Sequence, residues 1–172
     1  MNKRIILVGP TCSGKNYIRE KFREKGYLID CSFTTRKLRP GEIDEIDYSF
    51  ISKETFEAGI EAETFYEWVQ YGDNYYGTGL EEWNKNDVFI METDGVSKIK
   101  PEDRKECLVI FVNTPYDIRL KRMRERGWSD EKILERTKVD QEKFGYHTNN
   151  PFADYDIEIS SQVFGKGLPH FK

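Results

Sequence analysis

An α/β fold, with a mainly parallel core sheet flanked by helices and a small inserted β-rich subdomain, is predicted by three features of the chain. Apolar runs at Ile5 to Val8, Asp87 to Glu92 and Cys107 to Val112 read as strands buried on both faces. Helical stretches alternate with them, as the crossovers of a parallel sheet require. Between the first two runs, aromatic-rich Phe65 to Tyr71 and Tyr75-Tyr76 flank Gly72-Asp73-Asn74, a hairpin signal that suggests the insertion.

The first strand, at Ile5 to Val8, is followed by a glycine-containing loop and a helix from about Lys15 to Lys25, ended by Gly26. Tyr27 to Phe33 reads as a second strand, and Thr34 to Asp47 as a polar loop turning at Pro40-Gly41. Tyr48 to Ile51 is short and β-prone, and Ser52 is placed to cap a helix through Ala58. After the hairpin and the two further apolar strands, Pro115 suits the first turn of a helix to Arg126, which Gly127 breaks. Ser129 caps the next helix, with Asp130 and Glu131 at its positive end. Tyr155 to Ser160 alternates as a last strand, and the final dozen residues carry no clear pattern.

Bulk properties narrow the function. At 172 residues, with 37% hydrophobic and 34% charged, the chain suits one globular domain. A net charge of −4 predicts no general affinity for nucleic acid or acidic membranes. No apolar run approaches a membrane span or a signal-peptide core, so a cytoplasmic protein is expected. Cys12, Cys31 and Cys107 lack metal or disulfide spacing and read as reduced thiols. His147 and His170 are too few for a metal cluster and read as surface residues.

The sharpest motif is Gly9-Pro10-Thr11-Cys12-Ser13-Gly14-Lys15, a GxxxxGK loop between a strand and a helix. Its backbone N–H groups and the helix N-terminus suit phosphate oxygens, and Lys15 can reach the outer phosphates. Asn16 stands where the usual motif has Ser or Thr as a magnesium ligand; its amide oxygen is a weaker candidate for that place.

Ser32-Phe33-Thr34-Thr35-Arg36-Lys37-Leu38-Arg39-Pro40-Gly41-Glu42 with Asp47-Tyr48, and Glu67-Trp68 with Asn74-Tyr75-Tyr76-Gly77-Thr78, closely resemble the monophosphate-binding segments of guanylate kinases. Arg119-Leu120 through Arg126-Gly127, with Arg136, is similar to that family's lid, and Tyr155-Asp156 to its final strand. The resemblance implies a P-loop nucleoside monophosphate kinase fold in one domain. Its core would be residues 1–33, 87–118 and 140–172, its GMP-binding subdomain 34–86 and its lid 119–139. It implies transfer of a phosphoryl group from ATP to GMP or dGMP with Mg²⁺, by a monomer or homodimer. Two alternatives stay open: a non-catalytic peptide-binding module on the same fold, and a kinase for another monophosphate.

Residue roles follow from the resemblance. ATP would lie on Gly9, Pro10, Thr11, Cys12, Ser13, Gly14, Lys15 and Asn16, with Arg122 over the adenine. Lys15, Arg36, Arg126 and Arg136 would be the catalytic cations. Arg36 and Arg39, with Glu42, Tyr48 and Tyr76, would hold the GMP phosphate, for which guanidinium forks are suited. Glu67 would read guanine, because a carboxylate accepts both N1–H and the exocyclic amine; Ser32, Thr78 and Asp94 would assist. Glu92 would act on Mg²⁺ through water. Gly95-Val96-Ser97 departs from the family pattern after the second acid. Arg119, Lys121 and Arg124 read as a solvated helix face.

Overall fold

The computed structural model describes residues 4–145 and 152–162. His147, His170 and the patternless last residues from 163 onward lie outside them. The core sheet is fully parallel, ordered β6-β1-β7-β8, from β1 (Arg4–Val8), β6 (Val88–Ile90), β7 (Cys107–Val112) and β8 (Ile157–Ile159). Alternation along these strands fills both faces. Ile6, Val8, Phe89, Val109 and Phe111 pack with Trp83 and Phe144 on one side. Ile5, Leu7, Val88, Ile110 and Val112 pack with Ile18 and Phe22 on the other. Both faces being covered is why these strands read as unbroken apolar runs.

Ile18 and Phe22 lie on α1 (Lys15–Glu24), whose N-cap is Gly14. Gly14 has φ +100°, and a Cβ there would lie 2.6 Å from the Ser161 Cβ, so a side chain is excluded twice. A second sheet, ordered β3-β2-β5-β4, joins β2 (Phe33–Thr34), β3 (Ser49–Phe50), β4 (Phe65–Tyr71) and β5 (Asn74–Gly79). The aromatic hairpin is its β4–β5 pair, antiparallel, with Tyr71 opposite Asn74. Beside it, α2 (Lys53–Glu61) starts where Ser52 accepts from the Thr55 amide, as its capping signal predicts.

Two expected elements differ. Tyr27 to Phe33 is not a strand: Ile29 makes one parallel bridge to Val88, and regular pairing resumes only at Phe33, in the other sheet. The stretch passes from one sheet to the other, and Asp30 and Ser32 bury polar side chains on the way. The Asp87-to-Glu92 run, expected as one strand, stops pairing at Ile90, and Glu92 is the N-cap of α4 (Thr93–Ser97). Two other short helices, α3 (Leu80–Lys85) and α5 (Pro101–Arg104), have too few turns to show a periodicity. The later helices agree with expectation: α6 (Tyr116–Glu125) follows Pro115, and α7 (Asp130–Phe144) is capped by Ser129, which accepts from the Lys132 amide. No helix among the described residues is long and apolar enough to cross a membrane.

Candidate active site

The phosphate loop leaves the C-terminal end of β1 and enters α1, the usual ligand position of open α/β sheets. Lys15 folds back over the loop, its Nζ donating to the Gly9 carbonyl at 2.5 Å and the Pro10 carbonyl at 3.1 Å. Burial lowers the Lys15 pKa, opposed by the negative charges of Glu92 and Asp140. Cys12 is buried against Met123 and Ile133, the role of a small space-filling side chain.

Helices α6 and α7 grip this loop. Asp140, on α7, accepts from the Thr11 amide at 3.0 and 3.2 Å and from Arg119 Nη1 at 2.8 Å. Arg119 also donates to the Thr114 carbonyl at 3.1 Å and is 3% exposed. Its expected place on a solvated face is therefore corrected: it joins α6 to the loop as half of a buried ion pair. Arg122 donates to the Cys12 carbonyl at 2.9 Å and Ser161 Oγ at 3.1 Å. Arg136 donates to Thr11 Oγ1 at 3.1 and 3.3 Å and lies 4.7 Å from the centre of the Tyr71 ring. Lys143 meets the same ring at 4.7 Å and donates to Glu92 Oε2 at 2.9 Å. Tyr71 thus links the hairpin of the second sheet to the cations of α7.

A cleft opens between the two sheets, lined by Ser32, Tyr48, Glu67, Tyr76 and Glu92 among others. Glu67 is 7% exposed, and Thr78 donates to its Oε1 at 2.9 Å. Burial raises the Glu67 pKa, against the opposing Thr78 hydrogen bond and Lys98 charge. A Cβ on Gly95 would lie 2.9 Å from Glu67 Oε2, so the bare glycine backbone makes room for that carboxylate. At the mouth, Arg36 and Glu42 form two parallel bonds of 2.7 Å, with the guanidinium 5.1 Å from the Tyr48 ring. Burial works against the Glu42 charge, but Arg36 and the Arg39 amide hold its carboxyl below the ordinary range. Burial lifts the Tyr48 phenol to about 12, which keeps it a donor at neutral pH.

The family model described as "Guanylate kinase" matches residues 1–171. The chain belongs to the guanylate kinase family. It is 36% identical to the guanylate kinase of Latilactobacillus sakei, covering 92% of this chain and 83% of that one. It is 34% identical to the guanylate kinase of Prochlorococcus marinus, covering 92% of each. The crystal structure of guanylate kinase from Anaplasma phagocytophilum superposes with a TM-score of 0.59 at 19% identity, covering 96% of this chain and 81% of that one. That likeness shows a shared fold, in agreement with the α/β expectation.

The geometry sorts the expected site residues of this guanylate kinase family member. Lys15, Arg122 and Arg136 converge on the phosphate loop, while Ser32, Tyr48, Glu67, Tyr76 and Glu92 share the cleft. Three lie apart. Asp94 is exposed on α4, and Glu92 is the acid that lines the cleft instead, because the strand ends two residues earlier than its acids suggest. Arg126 is exposed at the C-cap of α6, and Asn16 is exposed on α1. Asp140, Lys143, Tyr71 and Asp30 were not singled out from sequence. A signal existed for two of them: Arg136, Asp140 and Lys143 recur at helical spacing on one face of α7.

Proposed function

We propose that this protein transfers the γ-phosphoryl group of ATP to GMP or dGMP, forming the diphosphate. The observation that carries the reading is Glu67: a buried carboxylate, oriented by Thr78, in a cleft that also holds Ser32, Tyr48 and Tyr76. Such a group accepts from the N1–H and amine edge of guanine, whereas adenine offers no matching pair of donors. The 34–86 segment is then the acceptor subdomain, and 119–139 the lid that closes over the donor.

Transfer proceeds in line, with no covalent enzyme intermediate. The acceptor phosphate is already a nucleophile, so no general base is required. Catalysis is positioning plus stabilisation of charge on the moving group by Lys15, Arg36 and Arg136, with Arg126 brought in by lid closure. Closure also excludes water as a competing acceptor. Arg39 and Glu42 set the phosphate end of the acceptor site, and Glu42 fixes the plane of Arg36.

The donor set suits a magnesium ion carried by the nucleotide. Among the described residues no group of three His, Cys, Asp or Glu is placed to hold a metal. Glu92, through water, and Asn16 would be its protein contacts, the rest coming from phosphate oxygens and water. When bound, the ion neutralises charge shared between the phosphates.

Lys15→Ala tests the reading. Turnover with ATP and GMP is expected to fall roughly a hundredfold or more. Near-native turnover in the variant would sink the mechanism.

A further inference from the structure

Asp30 is 5% exposed and is tied by a hydrogen bond to Ser32 of the cleft. Its Oδ2 accepts the hydroxyl proton of Ser32, and its buried Oδ1 has no hydrogen-bond partner among the described residues. Ser32 in turn lines the cleft together with Glu67. A carboxyl buried with half its bonding capacity unused is costly, which makes its protonation state responsive to whatever Ser32 meets.

The balance of donors around the base explains why that state matters. Guanine presents an acceptor, O6, beside two donors, N1–H and the amine. Thr78 spends its hydroxyl proton on Glu67 Oε1, and Ser32 spends its own on Asp30. With Asp30 ionised, Ser32 therefore turns only lone pairs toward the base, which oppose O6. With Asp30 protonated, the carboxylic O–H donates to Ser32 Oγ, and the Ser32 O–H is released to donate to O6.

Resting on the guanine-nucleotide reading above, we propose that Asp30 is a positioning residue whose proton sets the direction of the Ser32 hydroxyl, so that GMP binds the Asp30-protonated form and draws a proton from solvent wherever Asp30 is ionised beforehand. No bond other than O–H is made or broken: the proton comes from solvent and returns there on release.

The surroundings support a titration in the working range. Burial pushes the Asp30 carboxyl up to about 7, opposed by the Ser32 hydrogen bond. Of the charged groups facing it, Glu82 from α3 and Glu67 from β4 add to the rise, and Arg19 from α1 opposes it. Its chain neighbour Cys31 is held protonated by burial, its thiol raised to about 11.

The test is the KM for GMP at saturating ATP and magnesium, measured from pH 6.5 to 8.5 in the native protein and in Asp30→Asn. The carboxamide donates to Ser32 at every pH, so the hydroxyl stays available to O6. The native KM is expected to rise at least tenfold across the range while that of Asp30→Asn stays flat. Ser32→Ala supplies an independent arm: with no hydroxyl to direct, its KM is expected to be high and insensitive to Asp30. Parallel pH profiles in the native protein and Asp30→Asn, or a native-like pH rise in Ser32→Ala, would overturn the proposal. A native protein that phosphorylates some other monophosphate and not GMP would instead remove the reading beneath it.

Discussion

Asp30 is a buried ionisable group and Lys15 a partly buried one, and the structure treats them differently. Lys15 sits among the carbonyls of its own loop with Glu92 and Asp140 nearby, so its charge has partners before any nucleotide arrives. Asp30 has one hydroxyl and a free oxygen. The folded state therefore holds the Asp30 proton up to about pH 7, whereas an unfolded aspartate releases it near 4. Between those values the folded chain binds more protons than the unfolded one, so this group lowers stability as pH rises through that window. Asp30→Asn removes the effect. Its melting temperature is expected to exceed the native value by more at pH 8 than at pH 5, by roughly a few degrees. An equal difference at both pH values would mean that Asp30 does not titrate as described.

At the scale of elements, the phosphate loop is held by two helices distant in sequence. Asp140 on α7 takes the Thr11 amide, and Arg119 on α6 bonds both Asp140 and the Thr11 carbonyl. Removing one member leaves the other charge buried and alone, which costs about 3–5 kcal/mol. Asp140→Ala is thus expected to melt well below the native protein and to raise the KM for ATP. Pairing it with Arg119→Met should recover much of the melting temperature, as the unpaired charge is gone; no recovery would contradict the ion-pair account. The pairing of the two is not legible in the chain alone. Arg119 lies in a run of basic residues where most are solvated, and its contacts with Asp140, 21 positions away, and with the Thr11 and Thr114 carbonyls separate it from Lys121 and Arg124. Local signals fared better: the GxxxxGK loop, the Ser52 and Ser129 caps and the aromatic hairpin depend on neighbours a few residues apart. Asp94 is exposed for a related reason. Acids after an apolar run mark a strand end, but the chain had already turned into a helix at Glu92, and no nearby residue announces that turn.

Across the whole molecule, the two sheets divide the chemistry. The parallel sheet carries the phosphate loop, and the mixed sheet carries Glu67, Thr78, Tyr76 and Tyr48 on or beside its strands. The ring of Tyr71 spans the divide, facing Arg136 and Lys143 of α7. The architecture was readable because each sheet announces itself by a different pattern, continuous apolar runs in one and an aromatic hairpin in the other. How the two face each other was not, because that is decided by long-range contacts such as Glu67 against Gly95. We propose that this juxtaposition makes the protein a guanine-specific monophosphate kinase. This is tested most directly by coupled ADP release with ATP and Mg²⁺, offering GMP, dGMP, AMP, UMP and dTMP in turn. Turnover confined to GMP or dGMP is the predicted result. Comparable turnover with AMP or a pyrimidine nucleotide, or none with any acceptor in a folded sample, would contradict it.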